Sequence, residues 1–295
     1  MRYFSTFSGI GGFELGIQLA YVDVSTPSRS KQRRMDMEKS SSINDGQSVG
    51  TQQSLTCVGY SEIDKYADQI YQKQFPTHKN YGDITKIDAK QLPDFEILVG
   101  GFPCQSFSIA GKRAGFDDTR GTMFFELARI IREKQPRICV FENVKGLLSH
   151  DKGDTFTTVI STLDELGYDC QWQVLNSKNH GVPQNRERVF IIGHLRGTNR
   201  PQVFPFGESH SINNGKAPQG NDLAYCLQAG NDKHRGSYVN QDKNKIRRLT
   251  PTECERLQGF PDGWTEGISD TQRYKCLGNA VTVNVVASVF NKITN

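Results

Sequence analysis

Residues 95–108 read FEILVGGFPCQSFS, an apolar run that ends in two glycines and delivers Cys104 just past a proline. A structural thiol belongs inside EILV; this one stands where the chain turns out of the core toward solvent and ligands. The thiolate is the nucleophilic form, and its pKa falls in an electropositive or dipole-rich setting. Lys112, Arg113 and Arg120 follow in GKRAGFDDTRG and supply such a setting. The next apolar segment, RICVFENV, ends near Glu142 and brings a carboxyl to the same rim. A carboxyl there suits a proton donor or hydrogen-bond partner for the nucleophile. QNRER then sets Arg186 and Arg188 at alternate positions of one face, a pairing suited to a phosphate or a planar base edge. Each has a bland reading alone: a spare thiol, a strand-end carboxylate, a surface pair. In this order on successive strand ends, they point to chemistry.

A second constellation precedes them. FSGIGG carries Gly9, Gly11 and Gly12 on a turn between an apolar strand and a helix. Glycines there let the backbone approach a nucleotide-like ligand, and the helix N-terminus offers N–H donors. The spacing is not GxGxxG, because Glu14 stands where that fingerprint wants glycine. SEID places Glu62 and Asp64 at the next strand end, where an acidic side chain can accept from ribose hydroxyls. YGDIT adds Asp83, suited to accept from an exocyclic amine. Each carboxylate reads equally as a helix cap or a solvated charge; together they outline a pocket for an adenosine-containing cofactor.

The elements that must position these groups alternate. Strands are predicted over MRYFSTFSG, LTCVGYSEID, FEILVGG, RICVFENV, CQWQVLN and RVFIIGHL. Helices are predicted over GGFELGIQLAY, KYADQIYQKQF, TMFFELARIIREKQ, TFTTVISTLDELG, TPTECERLQGF and NAVTVNVVASVFNKI. Alternation of this kind implies an α/β fold with a mostly parallel sheet and helices on both faces. Its sites lie beyond the carboxyl ends of the strands, where Cys104 falls. Thr250 and Glu253 have capping-box spacing ahead of the TPTECERLQGF helix. Residues 25–54 are rich in Ser, Gln, Lys and Arg with few large apolar side chains, and read as a flexible insertion. From about 196 to 244 the pattern dissolves into Gly, Asn, Pro and Asp. The predicted division is a catalytic domain, 1–193 with 274–295, and a small loop-rich domain, 194–273.

A chain of 295 residues has room for one large α/β domain, or one with a small satellite. No run approaches the roughly 18 apolar residues of a membrane span, and the N-terminus lacks the pattern of a secretory signal. Seven cysteines without paired spacing argue for a reducing, cytoplasmic setting. CxxC and HExxH are absent, so no metal is expected. Net charge is only +4, yet 195–248 holds nine Lys or Arg against four Asp or Glu. That local excess fits a phosphate-tracking surface or an ordinary solvated one.

The segments FSGIGG, SEID, GDIT, GGFPCQSFS, FENVKGLL, QNRERVFIIG, RLTPTECERLQGFPD and LGNAVTVNV together resemble the cytosine-C5 DNA methyltransferase family, of prokaryotic or phage modification type. They stand in the family's order and cover most of the chain. The resemblance implies a Rossmann-like S-adenosylmethionine-dependent fold with a small target-recognition domain. It implies S-adenosylmethionine as methyl donor and a flipped-out cytosine of double-stranded DNA as acceptor. Phe7, Gly9, Ile10, Gly11, Gly12, Glu62, Ile63, Asp83, Ile84, Pro103, Asn279 and Val281 would surround the cofactor. Cys104 would be the nucleophile toward C6, Glu142 would bind the cytosine edge, and Arg186 and Arg188 would hold base or backbone. Gln105, Ser106, Lys112, Arg113, Arg120, Gln184, Lys233, Arg235 and Thr250 would meet DNA. A restriction endonuclease in the same system is the implied companion, with the protein itself a monomer in a prokaryotic cell or phage-infected host.

Three rivals are weighed against this reading. Zinc-dependent cytosine deamination needs H-x-E and P-C-x-x-C, and the sequence has neither. Methylation of RNA uses the same motifs, but nothing in the recognition region ties the chain to that branch. A binding-only relative would have no need of Cys104, Glu142 and the paired arginines.

Overall fold

The computed structural model describes residues 1–25, 55–103, 123–205, 224–225, 238–242 and 245–294. Six strands make the central sheet: β1 (Arg2–Thr6), β2 (Thr56–Ser61), β3 (Ile97–Gly100), β4 (Ile138–Val144), β5 (Tyr168–Asn176) and β7 (Glu187–Leu195). Their order is β2-β1-β3-β4-β7-β5. β1 pairs in parallel with β2 and β3, and β3 with β4, while β7 runs antiparallel to both its neighbours. Parallel strands need a crossover, usually a helix. Between β5 and β7 the chain makes only the 3-10 turn Ser177–His180 and the short strand β6 (Gln184–Asn185), so it returns antiparallel.

Seven α-helices flank the sheet among the described residues: α1 (Gly12–Ser25), α2 (Lys65–Gln74), α3 (Met123–Lys134), α4 (Asp154–Glu165), α5 (Pro251–Gln258), α6 (Asp270–Asn279) and α7 (Val283–Thr294). The strands feed two cores by simple alternation. Tyr3, Ile97, Val99, Ile138 and Val140 face Phe13, Ile17, Val286 and Phe290 of α1 and α7. Phe4, Leu98, Cys139 and Phe141 face Phe124, Leu127 and Ile131 of α3 and Val159 and Leu163 of α4. Burial on both faces is why β3 and β4 read as unbroken apolar runs. Each such buried side chain contributes about 1.5–3 kcal/mol. The apolar stretch 270–294 serves the same end: its most apolar window is 78% buried, and the helix breaks between Asn279 and Val283.

A third core joins Ile10, Ile70, Tyr71 and Phe75 to Leu249, Leu257, Phe260, Trp264 and Leu277. Residues 249–273, placed with the small domain in the predicted division, therefore pack against α2 and the turn after β1. Of 206–248, the structure describes β8 (Ala224–Tyr225), parallel to β6, and the antiparallel pair β9 (Tyr238–Asp242) and β10 (Lys245–Arg248). Apart from Ser25, which closes α1, the 25–54 insertion lies outside the described residues.

Candidate active site

The turn after β1 holds Phe7, Gly9 and Gly11 at φ values of 50°, 55° and 86°. For a bulky residue such as Phe7 this is an outlier of the kind that gathers at ligand sites. A Cβ on Gly11 would lie 2.5 Å from the ring of Phe75, so space as well as φ demands glycine there. The turn is tied to the end of β2 by Glu62. Its carboxylate accepts the N–H of Gly9 at 2.8 Å, of Ile63 at 2.8 Å and of Asp64 at 2.7 Å. Burial pushes the Glu62 carboxyl up from its ordinary pKa, and the three backbone donors pull against that. Asp64 caps α2, accepting from Tyr66 and Ala67 N–H groups, and meets Lys275 of α6 at 2.7 Å.

Opposite this turn stands the second half of the site. A cavity of about 360 Å³ is lined by Phe7, Gly9, Ile10, Glu62, Asp64, Ala67, Gly101, Phe102, Pro103, Glu142, Asn143, Val144, Arg186, Arg188, Cys276, Gly278 and Asn279. The register of β4 with β7 sets Arg188 opposite Val144, from where its Nε meets Glu142 Oε1 at 3.0 Å. Burial pushes the Glu142 carboxyl up, opposed by the charges of Arg188 and Arg186. Gly101 leaves the room this needs, since a Cβ there would lie 3.1 Å from Glu142 Oε2. The next residue of β4, Asn143, donates to the carbonyl of Phe102 at 2.9 Å. β4 thus anchors the segment that leads through Pro103 to Cys104. Cys104 itself lies outside the described residues, as do Gln105, Ser106, Lys112, Arg113, Arg120, Lys233 and Arg235.

The two arginines do different things. Arg188 faces Glu142, whereas Arg186 is buried and donates through Nη2 to the carbonyls of Gly278 at 3.1 Å and Ala280 at 2.9 Å. Gln258 of α5 donates to the carbonyl of Leu277 at 2.8 Å and accepts the Thr282 hydroxyl at 2.7 Å. Between them they satisfy carbonyls that a helix end leaves open, and fix the α6–α7 junction so that Asn279 lines the cavity.

Other expected residues fall elsewhere. Gln184, expected at DNA, is fully buried and donates to the Leu257 carbonyl at 3.3 Å, because β6 runs beneath α5. Thr250 is exposed and forms the capping box of α5 with Glu253. Asp83 caps the 3-10 turn Ile84–Lys86, and Ile84 is buried in the α3 core; neither lines the cavity, nor does the exposed Ile63. Gly12 and Val281 back the glycine turn from below, since a Cβ on Gly12 would lie 2.8 Å from Val281 Cγ1. Sequence reasoning missed Ala67, Gly101, Phe102, Asn143, Val144, Cys276 and Gly278 as cavity walls. Five of these had a signal, since Gly101 and Phe102 stand in GGFPCQSFS, Asn143 and Val144 in FENVKGLL and Gly278 in LGNAVTVNV; Ala67 and Cys276 had none. Among the described residues no three His, Cys, Asp or Glu side chains gather as a metal site.

The chain matches the model of the C-5 cytosine-specific DNA methylase family over residues 1–225 and 209–295. It is 40% identical over 283 residues to the Type II methyltransferase M1.ScrFI of Lactococcus lactis subsp. cremoris, covering 82% of this chain and 72% of that one. To M.HhaI of Haemophilus parahaemolyticus it is 33% identical over 337 residues, covering 97% and 92%. Among solved structures, the S. pombe Dnmt2 methyltransferase superposes with a TM-score of 0.71 at 17% identity, over 99% of this chain and 97% of that one. That likeness speaks for the fold, a Rossmann-like methyltransferase sheet; the matches in sequence carry the rest. The chain belongs to the C-5 cytosine-specific DNA methylase family and is a DNA cytosine-5-methyltransferase.

Proposed function

We propose that the protein takes a methyl group from S-adenosylmethionine and sets it on C5 of a cytosine turned out of double-stranded DNA, through a covalent bond between Cys104 and C6. The observation that carries this reading is a single cavity whose walls include the Glu142–Arg188 pair, Pro103 and the Gly9–Ile10 turn. One half suits a base edge and the other an adenosine group. The fit to the cofactor rests on Gly9, which lines the cavity at positive φ with open space where a Cβ would stand, and on Glu62, which accepts one donor at Oε2 and two at Oε1 and so keeps acceptor capacity for ribose hydroxyls. Gly9, Ile10, Glu62 and Asn279 would hold it. S-adenosylmethionine supplies the methyl group when bound.

The protein's own residues must make C5 reactive. C5 is a poor nucleophile within an aromatic ring. Addition of the Cys104 thiolate forms the S–C6 bond, moves the ring electrons toward C5 and N3, and leaves C5 enamine-like. Glu142 gives a proton to N3 as charge develops there, and burial favours the protonated carboxyl this requires. Arg188 holds one carboxyl oxygen, leaving the other for the base. After methylation, the C5 proton passes to solvent water, the C5–H electrons restore the 5,6 double bond and expel the thiolate, and the N3 proton returns to Glu142. None of this can occur in a stacked duplex, so the base must leave the helix, at a cost of about a few kcal/mol.

Residues 196–248, with their basic excess, are assigned to target recognition, and 249–273 to the catalytic side. We assign the protein to the cytoplasm of a prokaryotic cell or phage-infected host, as a monomer, with an endonuclease of matching specificity. The test of the chemistry is a duplex bearing 5-fluorocytosine at the target position. Fluorine cannot leave C5 as a proton does, so the adduct should persist in a denaturing gel and vanish with Cys104→Ala. No adduct from enzyme that methylates the ordinary duplex would refute the Cys104–C6 bond.

A further inference from the structure

The glycine turn rests on a loop that the chemistry above does not use. Residues 259–269 join α5 to α6, and the loop is organised around Glu255, which is fully buried. Its carboxylate accepts the N–H of Gly263 at 2.8 Å, the N–H of Thr265 at 2.8 Å and the Thr265 hydroxyl, and meets Arg273 Nη2 at 3.1 Å. A buried charge so fully satisfied holds the loop in one conformation. From α2, Gln74 donates to the carbonyl of Trp264 at 2.9 Å and Lys73 to that of Glu266 at 3.2 Å. Trp264 is thereby turned inward. Its Nε1–H donates to the carbonyl of Ile10 at 2.9 Å, and its ring packs on Phe75, with centroids 5.9 Å apart. Ile10 lines the cavity between two residues with positive φ, and Phe75 is the ring that excludes a side chain at Gly11.

We propose that Trp264 is a positioning residue for the cofactor. By holding the Ile10 carbonyl and backing Phe75, it keeps the turn in its ligand-ready form, so that cofactor affinity depends on it and the methyl-transfer step does not. This rests on the reading that S-adenosylmethionine binds at that turn. The segment acts through the turn and not on the reacting atoms.

Trp264→Phe keeps a ring in place and removes the N–H donor. Loss of one buried hydrogen bond should raise the KM for S-adenosylmethionine and the calorimetric Kd for S-adenosylhomocysteine together, by about three- to tenfold, with kcat within about twofold of wild type. Trp172 is the only other tryptophan and lies half-exposed on the edge strand β5. In Trp172→Phe the fluorescence therefore reports Trp264 alone, and it should change on titration with S-adenosylhomocysteine at the calorimetric Kd. A folded Trp264→Phe with wild-type Kd and KM, or one whose kcat falls at constant KM, would overturn the role. If that variant does not fold, fluorescence of Trp172→Phe that stays constant to saturation would overturn it instead. Wild-type protein that fails to bind S-adenosylhomocysteine would sink the cofactor reading itself.

Discussion

Glu14→Gln isolates the cost of burying one carboxyl beneath the cofactor turn. Glu14 lies in the first turn of α1, is fully buried, and neither carboxylate oxygen has a well-formed hydrogen bond. Desolvation pushes its pKa from 4.5 up to about 7, with the Ser5 hydroxyl offsetting only part of the effect. Below pH 4.5 the carboxyl is protonated folded and unfolded alike, and imposes no pH-dependent penalty. As pH rises to 7 the unfolded chain gives up this proton while the folded chain keeps it. Stability is then lost at about 1.4 kcal/mol per pH unit, or about 3 kcal/mol over the window, and the loss levels off above it. The other titratable neighbours stay neutral throughout: burial pushes Cys57 up to about 12, and Tyr3 and Tyr71 well above their usual range. Gln keeps the shape and does not titrate. Urea unfolding of both proteins between pH 4.5 and 8 should show the stability of Glu14→Gln relative to wild type rising by about 3 kcal/mol and then holding level. A difference that stays constant across this range would refute the account of Glu14 as an acid held protonated by burial.

Three further perturbations probe the site. Glu142→Gln should lower kcat by about 10²- to 10⁴-fold while calorimetric binding of S-adenosylhomocysteine stays near wild type; a near-normal rate removes Glu142 from proton transfer. Arg188→Met takes away the charge that opposes the raised pKa of Glu142, so the alkaline limb of the pH–rate profile should move to higher pH, at a lower absolute rate; a limb that stays in place or moves to lower pH would contradict the pairing. Gly11→Ala places a Cβ against Phe75 at positive φ and should cost about 1–3 kcal/mol in denaturant unfolding. Adding Phe75→Leu should recover part of that loss, the steric part, and no recovery would mean that φ alone is responsible.

Much of this site was legible in the sequence because strand ends concentrate it. Glu62, Glu142 and Pro103 each follow an apolar run, and the sheet brings such ends to one edge regardless of the distance between them in sequence. The direction of β7 was less legible, since RVFIIGHL carries no sign of its orientation; that follows from the short connection behind it. Arg186 and Arg188 read as one pair because they are two residues apart. What separates their roles is the bare carbonyl end of α6, and α6 itself went unread because its polar sequence buries only Cys276, Leu277 and Gly278. Asp64, Asp83 and Thr250 each allowed a capping role, and the structure shows all three as caps. Glu14 gave no warning of its burial, for an acidic residue in the first turn of a helix is favourable in solvent. Ser5 of β1, Cys57 of β2 and Tyr71 of α2 come together around it only in the folded chain.

The central claim is that this cavity, with Cys104 as nucleophile, methylates cytosine at C5 in DNA. Base-resolution mapping of 5-methylcytosine in methylation-free cells expressing wild type or Cys104→Ala tests it most directly. 5-Methylcytosine should appear at one recurring sequence with wild type and nowhere with Cys104→Ala. Methylation that persists in Cys104→Ala, or none from folded wild type that binds S-adenosylhomocysteine, would contradict it.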